Sequence, residues 1–160
     1  MKPFAVVVLN WNAARDTIEC LGSLLSNTRD ALPIVIDNAS EDGSPQMVRE
    51  RFPDVRLVRL TRNVGFAAGT NMGLRMARGE QLLLLNPDAE LVHQALPTLS
   101  SFLIEHPWVA AVGPRLIYPD GEPNFPCVFC FRGAWDDDAL AMMAEHGVTR
   151  SRWVKTLGRD

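Results

Sequence analysis

The feature that most constrains this chain is a pair of apolar runs that do not alternate. Phe4 to Leu9 (FAVVVL) and Leu82 to Leu85 (LLLL) put apolar side chains at every position. A strand with one wet face alternates apolar and polar residues. A strand apolar throughout is expected to be buried on both faces, as in parallel sheets covered by helices. Both runs have strand length and fall far short of the ~20 apolar residues that a membrane span requires.

Between such runs the period becomes helical. In residues 13–27, Ile18, Leu21, Leu24 and Leu25 recur at helix spacing, with Asn12 placed to cap. Residues 33–37 (PIVID) read as a second strand, 46–52 as a short helix, and 55–60 as a strand with a more exposed face. A helix over 67–78 is expected to stop at Gly79, and a further helix spans 94–105 with Pro97 in its first turn. Residues 108–112 and 115–118 look extended. Alternation of this kind predicts an α/β fold with a mostly parallel sheet and helices on both faces. The pattern holds to about residue 125. Residues 126–160 form a less regular segment, with a helix expected over 139–146.

Open parallel sheets bind ligands at the carboxyl ends of their strands, and the polar residues cluster there. The strand ends are Asn10-Trp11-Asn12, Asp37-Asn38, the stretch before Asn63, and Asn86-Pro87-Asp88. A carboxylate at the end of a buried strand is costly unless it meets a donor or a cation. Asp37 and Asp88 therefore either cap the following turn or face a ligand. Asp88 suits a divalent cation that also touches a diphosphate, because magnesium takes few protein ligands. Trp11 offers a face on which a base can stack, or serves as core. Gly65, Gly69 and Gly73 recur every four residues, which suggests a helix lying close on the sheet with Gly65 in the loop before it. Asn63 and Asn71 lie nearby, as ligand contacts or as loop braces.

Several classes are disfavoured. A dinucleotide turn needs GxGxxG after the first strand, and NWNAARD stands there; GxxxxGK[ST] is absent as well. NWNAARD also suits a sugar-nucleotide-forming nucleotidyltransferase poorly. His93, His106 and His146 lack metal spacing. A net charge of −3 gives no reason to expect nucleic acid or more than peripheral membrane association. The N-terminus lacks the pattern of a secretory signal, so a cytoplasmic location is expected. Three cysteines, Cys20, Cys127 and Cys130, read as reduced thiols, and the Cys127/Cys130 CxxC has no second pair to complete a zinc site.

Four segments in order, VVVLNWN, VIDNASEDGS, RNVGFAAGTNMGLRMARGE and LLLLNPDAEL, resemble the nucleotide-binding half of family 2 glycosyltransferases with the GT-A fold. The likeness is greatest to bacterial rhamnosyltransferase-type enzymes of cell-envelope polysaccharide synthesis, and HPWVAAVGPRLIYPDG resembles the segment that follows their metal motif. It covers residues 3–125. The resemblance implies a nucleotide-sugar-binding GT-A domain over 1–125, apparently truncated after that half, with 126–160 part of it or of an acceptor region. It implies that Asp37, with Asn38, contacts the nucleotide base and that Leu9 and Trp11 wall the base pocket. Asn63, Gly65 and Asn71 would face the ribose and diphosphate. Asn86-Pro87-Asp88 would be the DxD-type motif, with Asn86 at its first position and Asp88 on Mg2+ or Mn2+.

The implied activity is inverting transfer of a hexosyl group, with rhamnose a candidate, from a dTDP- or UDP-sugar to a saccharide or lipid-linked acceptor. Inversion requires a general base, and no residue is assigned to that role; Asp136 to Asp138 read as a solvated acidic stretch. The alternative is a noncatalytic nucleotide-sugar-binding or assembly module. An apolar edge left by a missing half would favour homo-oligomers.

Overall fold

The computed structural model describes residues 4–78, 81–114 and 116–122. The Cys127/Cys130 pair, Asp136 to Asp138, the 139–146 helix, Gly79 and the boundary of the 126–160 segment lie outside the described residues. The chain divides into two units, residues 1–94 and 95–160.

The first unit holds β1 (Phe4–Asn10), α1 (Ala14–Asn27), β2 (Ala31–Asp37), α2 (Ser44–Arg51), β3 (Arg56–Arg59), α3 (Phe66–Met76) and β4 (Gln81–Leu85). All pairings among these strands are parallel, and the order across the sheet is β3-β2-β1-β4. The chain therefore winds outward from β1 to β3, then returns to place β4 on the other side of β1. Paired residues of a parallel sheet share a face. Asn10 and Asp37 pair and look toward α1 and α2; Leu9 and Ile36 pair and look toward α3. The expected helices on both faces are present, and Val6, Val7, Val8, Val35 and Ile36 make the buried centre.

The glycine repeat acts as its spacing suggests. Gly65 ends the loop before α3 at φ +82°. Gly69 and Gly73 let the helix backbone settle on the sheet. A Cβ on Gly73 would lie 2.4 Å from Val7 Cγ1 and 3.2 Å from Ile36 Cγ1; on Gly69 it would lie 2.6 Å from Leu9 Cδ1. Gly73→Ala is therefore expected to destabilise by about 1–3 kcal/mol through overpacking, although alanine is the better helix former by about 1 kcal/mol. Thermal melts will show it several degrees lower. Gly22→Ala, where a Cβ meets nothing within 4 Å, should melt at or above the parent.

Two expectations are corrected. The leucine strand is not buried on both faces. β4 is an edge strand among the described residues, with Leu82 and Leu84 about half exposed, at 55% and 52%. Only the Leu83 and Leu85 side, beside Val6 and Val8, faces the side of the sheet that carries α1. Asn12 does not cap α1. It sits at φ +50° and its Oδ1 accepts from Glu41 N at 2.8 Å, while Asp42 Oδ2 accepts from Ala14 N at 2.9 Å. The α1 N-terminus is thus satisfied by a carboxylate from the loop after β2, which sequence proximity could not show.

In the second unit, α4 spans Ala95–Glu105. His106 Nδ1 donates to the Phe102 carbonyl at 2.8 Å, and its ring stacks on Phe102 and meets Trp108 edge-on. Residues 108–112 form no strand among the described residues, and residues 118–122 close a tight turn.

Candidate functional site

The carboxyl ends of the four strands meet the loops 11–13, 38–43, 60–65 and 86–91. Strand order reverses between β1 and β4, and a crevice at such a switch point is where open α/β sheets place ligands. Trp11 and the Asn86-Pro87-Asp88 turn leave adjacent strands at this point. Trp11 is 57% exposed and so does not join the core. Asn86 and Asp88 are exposed, as are Asn63 and Gly65 on the loop before α3.

Beneath the rim lies a buried polar hub. Asn10 Nδ2 faces Asp37 Oδ1 at 2.9 Å, Ser40 Oγ at 3.1 Å and Ser44 Oγ at 2.7 Å, and Asn10 Oδ1 accepts from Thr17 Oγ1 at 2.8 Å. One side chain at the end of β1 thereby ties α1, α2 and the loop after β2 together. Asp37 is fully buried, and its Oδ2 accepts from Ser40 N at 3.2 Å and lies 3.6 Å from Arg59 Nε. Its carboxylate presents no surface to a base in this geometry; it builds the loop that borders the site.

Asn38 is also buried. Its Nδ2 donates to Asn63 Oδ1 at 2.9 Å and its Oδ1 accepts from Val64 N at 2.9 Å, while Asn63 Oδ1 also accepts from Gly65 N. Asn38 and Asn63 brace one rim loop against the next. Leu9 lies under α3 against Gly69. Asn71 is exposed on α3, six residues and about 9 Å of helix rise from Gly65.

One rim residue escaped the sequence reading. Phe66 follows Gly65 at the first position of α3 and is 63% exposed. The signal was an aromatic just after a glycine that ends a loop, a place where a core residue is not expected.

Asp42 orders the loop after β2. Its carboxyl is held below the ordinary carboxylate range. Burial pushes it upward, but hydrogen bonds from Ser44 Oγ, Ser44 N and Ala14 N outweigh that. A folded-state value below the unfolded one, ordinarily about 3.9, means that the contribution is present above that pH and is lost as pH falls through the folded value. The deficit of Asp42→Ala in urea midpoint is therefore expected to be full at neutral pH and to shrink as the pH falls through the folded-state value.

No group of three or more His, Cys, Asp or Glu side chains suited to a metal occurs among the described residues. The lone exposed Asp88 does fit a hard cation that keeps several waters and shares a substrate diphosphate. It does not fit a site made wholly of protein ligands. The Cys20 thiol lies close behind the same turn. Burial pushes its pKa up to about 12, with the Asp88 and Glu90 carboxylates adding to the shift, so it stays protonated.

The parallel sheet with its switch-point crevice and close-packed glycine helix has the architecture of the GT-A fold, as solved glycosyltransferases show. The mannosyltransferase PcManGT from Pyrobaculum calidifontis, solved with GDP-Man and Mn2+, superposes with a TM-score of 0.64 at 30% identity, over 74% of this chain and 36% of that one. S. aureus TarS 1–349 in complex with UDP-GlcNAc shares the fold, with a TM-score of 0.61 at 22% identity, over 73% of this chain and 38% of that one. The N-acetylglucosaminyl-diphospho-decaprenol L-rhamnosyltransferase of Mycobacterium tuberculosis (strain ATCC 25618 / H37Rv) is 29% identical over 129 residues, which are 73% of this chain and 42% of the relative. Residues 5–130 match the model of Glycosyl transferase family 2, and the chain belongs to that family. It spans between a third and a half of the length of these three proteins.

Proposed function

We propose that the chain forms the donor-binding part of a glycosyltransferase that takes a hexosyl group from a nucleoside diphosphate sugar with the help of Mg2+ or Mn2+. The observation that carries this reading is the pairing of an exposed aromatic, Trp11, with an exposed carboxylate, Asp88, at adjacent strand ends on the switch point. Trp11 stacks on the base, and the loop after β3 with Asn63 and Gly65 borders the ribose and diphosphate. Asn71 is left a contact to the outer part of the donor. Leu9, Asp37 and Asn38 act by holding the rim loops in place. Asp88 holds the cation, with Asn86 beside it as a donor-substrate contact. When bound there, Mg2+ or Mn2+ offsets the negative charge that develops on the leaving diphosphate.

The rhamnosyltransferase relative's name supports rhamnose as the transferred sugar and a diphospho-lipid-linked saccharide as acceptor. A dTDP carrier, inversion at the anomeric carbon and a role in envelope polysaccharide synthesis in the cytoplasm belong to the same proposal and rest on the motif resemblance. No helix among the described residues is long and apolar enough to cross a membrane. Calorimetry with UDP and dTDP, with and without Mn2+, tests the reading. Metal-enhanced nucleotide binding is expected; metal-indifferent binding or none would refute it.

The second reading is a nucleotide-sugar-binding or assembly module without transfer activity. It predicts the same binding with no donor hydrolysis, and measurable hydrolysis by the purified chain excludes it.

A further inference from the structure

The loop that carries Asp88 is fastened to α1 at both its ends. Cys20, Ser23 and Asn27 stand at i, i+3 and i+7 and so share one face of α1. Cys20 Sγ donates to the Asn86 carbonyl at 3.4 Å. Ser23 Oγ accepts from Leu91 N at 3.0 Å, and Asn27 Nδ2 donates to the Leu91 carbonyl at 2.8 Å. Both backbone groups of Leu91 are therefore held by α1 side chains, and the Leu91 side chain is buried.

These contacts are themselves oriented. The Ser23 hydroxyl proton is committed to the Cys20 carbonyl at 2.8 Å, which turns an oxygen lone pair toward Leu91 N–H. Asn27 Nδ2 spends its other proton on the Ser23 carbonyl at 2.9 Å. The Asn86 carbonyl that meets Cys20 Sγ also accepts from Ala89 N at 3.2 Å. Asp88 thus rides on a short span, 86 to 91, pinned on either side of it. The Asp88 side chain has no hydrogen-bond partner of its own among the described residues, so its position follows from that of its backbone.

We infer that Ser23 and Asn27 are positioning residues for the cation held by Asp88: the polar stripe on α1 sets where the carboxylate stands and thereby the metal-dependent part of nucleotide affinity. This rests on the donor-binding reading above. Groups that orient metal ligands typically change metal affinity by about 10- to 100-fold when removed.

The test uses the full chain with UDP and Mn2+ in calorimetry. Ser23→Ala is expected to weaken Mn2+-dependent UDP binding about tenfold and to leave metal-free UDP affinity within about twofold. Asn27→Leu should act in the same direction, and Ser23→Thr, which keeps the hydroxyl, should restore most of the loss. Amide hydrogen exchange at Ala89 and Leu91 should speed up in Ser23→Ala while Val7 and Val35 stay protected. Faster exchange at Leu91 with unchanged Mn2+ dependence overturns the inference and leaves the clamp a stability feature only. Equal loss with and without metal also overturns it. Failure of the parent chain to show any Mn2+ dependence is a different result: it removes the functional reading, and the inference with it.

Discussion

Asn10→Leu is expected to lose about 3–5 kcal/mol of stability, the largest effect of any single change considered. Asn10 has no exposed surface, and its amide serves four partners on three elements. Its nitrogen has two protons for three nearby acceptors, so none of its hydrogen-bonding capacity is spare. Ser44 Oγ donates to Asp42 Oδ1 at 2.6 Å and can only accept from Asn10. Leucine would leave Ser44 without that donor, the Thr17 hydroxyl without its acceptor, and one oxygen of the buried Asp37 carboxylate bare.

The remaining support for Asp37, Ser40 N at 3.2 Å and a half-exposed Arg59 at 3.6 Å, is too weak to compensate. A buried charge stripped of a partner costs several kcal/mol, and a domain holds only about 5–15 in total. Urea unfolding at neutral pH should show a much lower midpoint, with part of the chain unfolded before denaturant is added. A loss below about 1 kcal/mol would mean that the hub is replaceable. Thr17→Val, which removes one partner, should cost about 1–2 kcal/mol.

Asp88→Asn should do the opposite: leave stability nearly unchanged and remove the metal effect. Asp88 is exposed and unpaired among the described residues, so its urea midpoint should stay within about 0.5 kcal/mol of the parent. Its charge is the main protein contribution proposed for the cation. Mn2+-dependent UDP binding is expected to fall by at least about 100-fold, equivalent to about 2.7 kcal/mol. If Asp88→Asn keeps the Mn2+ enhancement, the cation sits elsewhere. The contrast between these two variants separates what builds the rim from what uses it.

Much of the fold was legible because strand and helix periods are local properties. FAVVVL, PIVID and the helical spacing from Ile18 to Leu25 each mark an element without reference to the rest of the chain, and the observed elements fall within a few residues of those expected. The Gly69 and Gly73 spacing was legible for the same reason: four residues bring two glycines to one face, and only close packing makes use of that.

Other features were not. LLLL reads as buried on both faces because composition reports average hydrophobicity, not which strand becomes an edge. Its Leu82 and Leu84 face is exposed since α3 lies over β1 and β2. Asp37 and Asp88 look alike as strand-end acids. The first is sealed under Asn10, Ser40 and Arg59 and the second stands free, because β1 has the loop after β2 packed on one side and an edge strand on the other.

The resemblance of its motifs carried the family, and the sequence by itself determined the parallel α/β architecture and the four strand ends where polar residues collect. Those follow from periodicity and from residue types within a few positions of one another. Tertiary structure alone decided which of the polar groups are spent inside the protein and which remain for a ligand. Asp42 caps a helix 28 residues away, Asn38 braces the Asn63 loop, and Ser23 with Asn27 holds the turn behind Asp88. Each of these depends on hydrogen-bond geometry between segments far apart in the chain, and a donor committed in one place is no longer free in another.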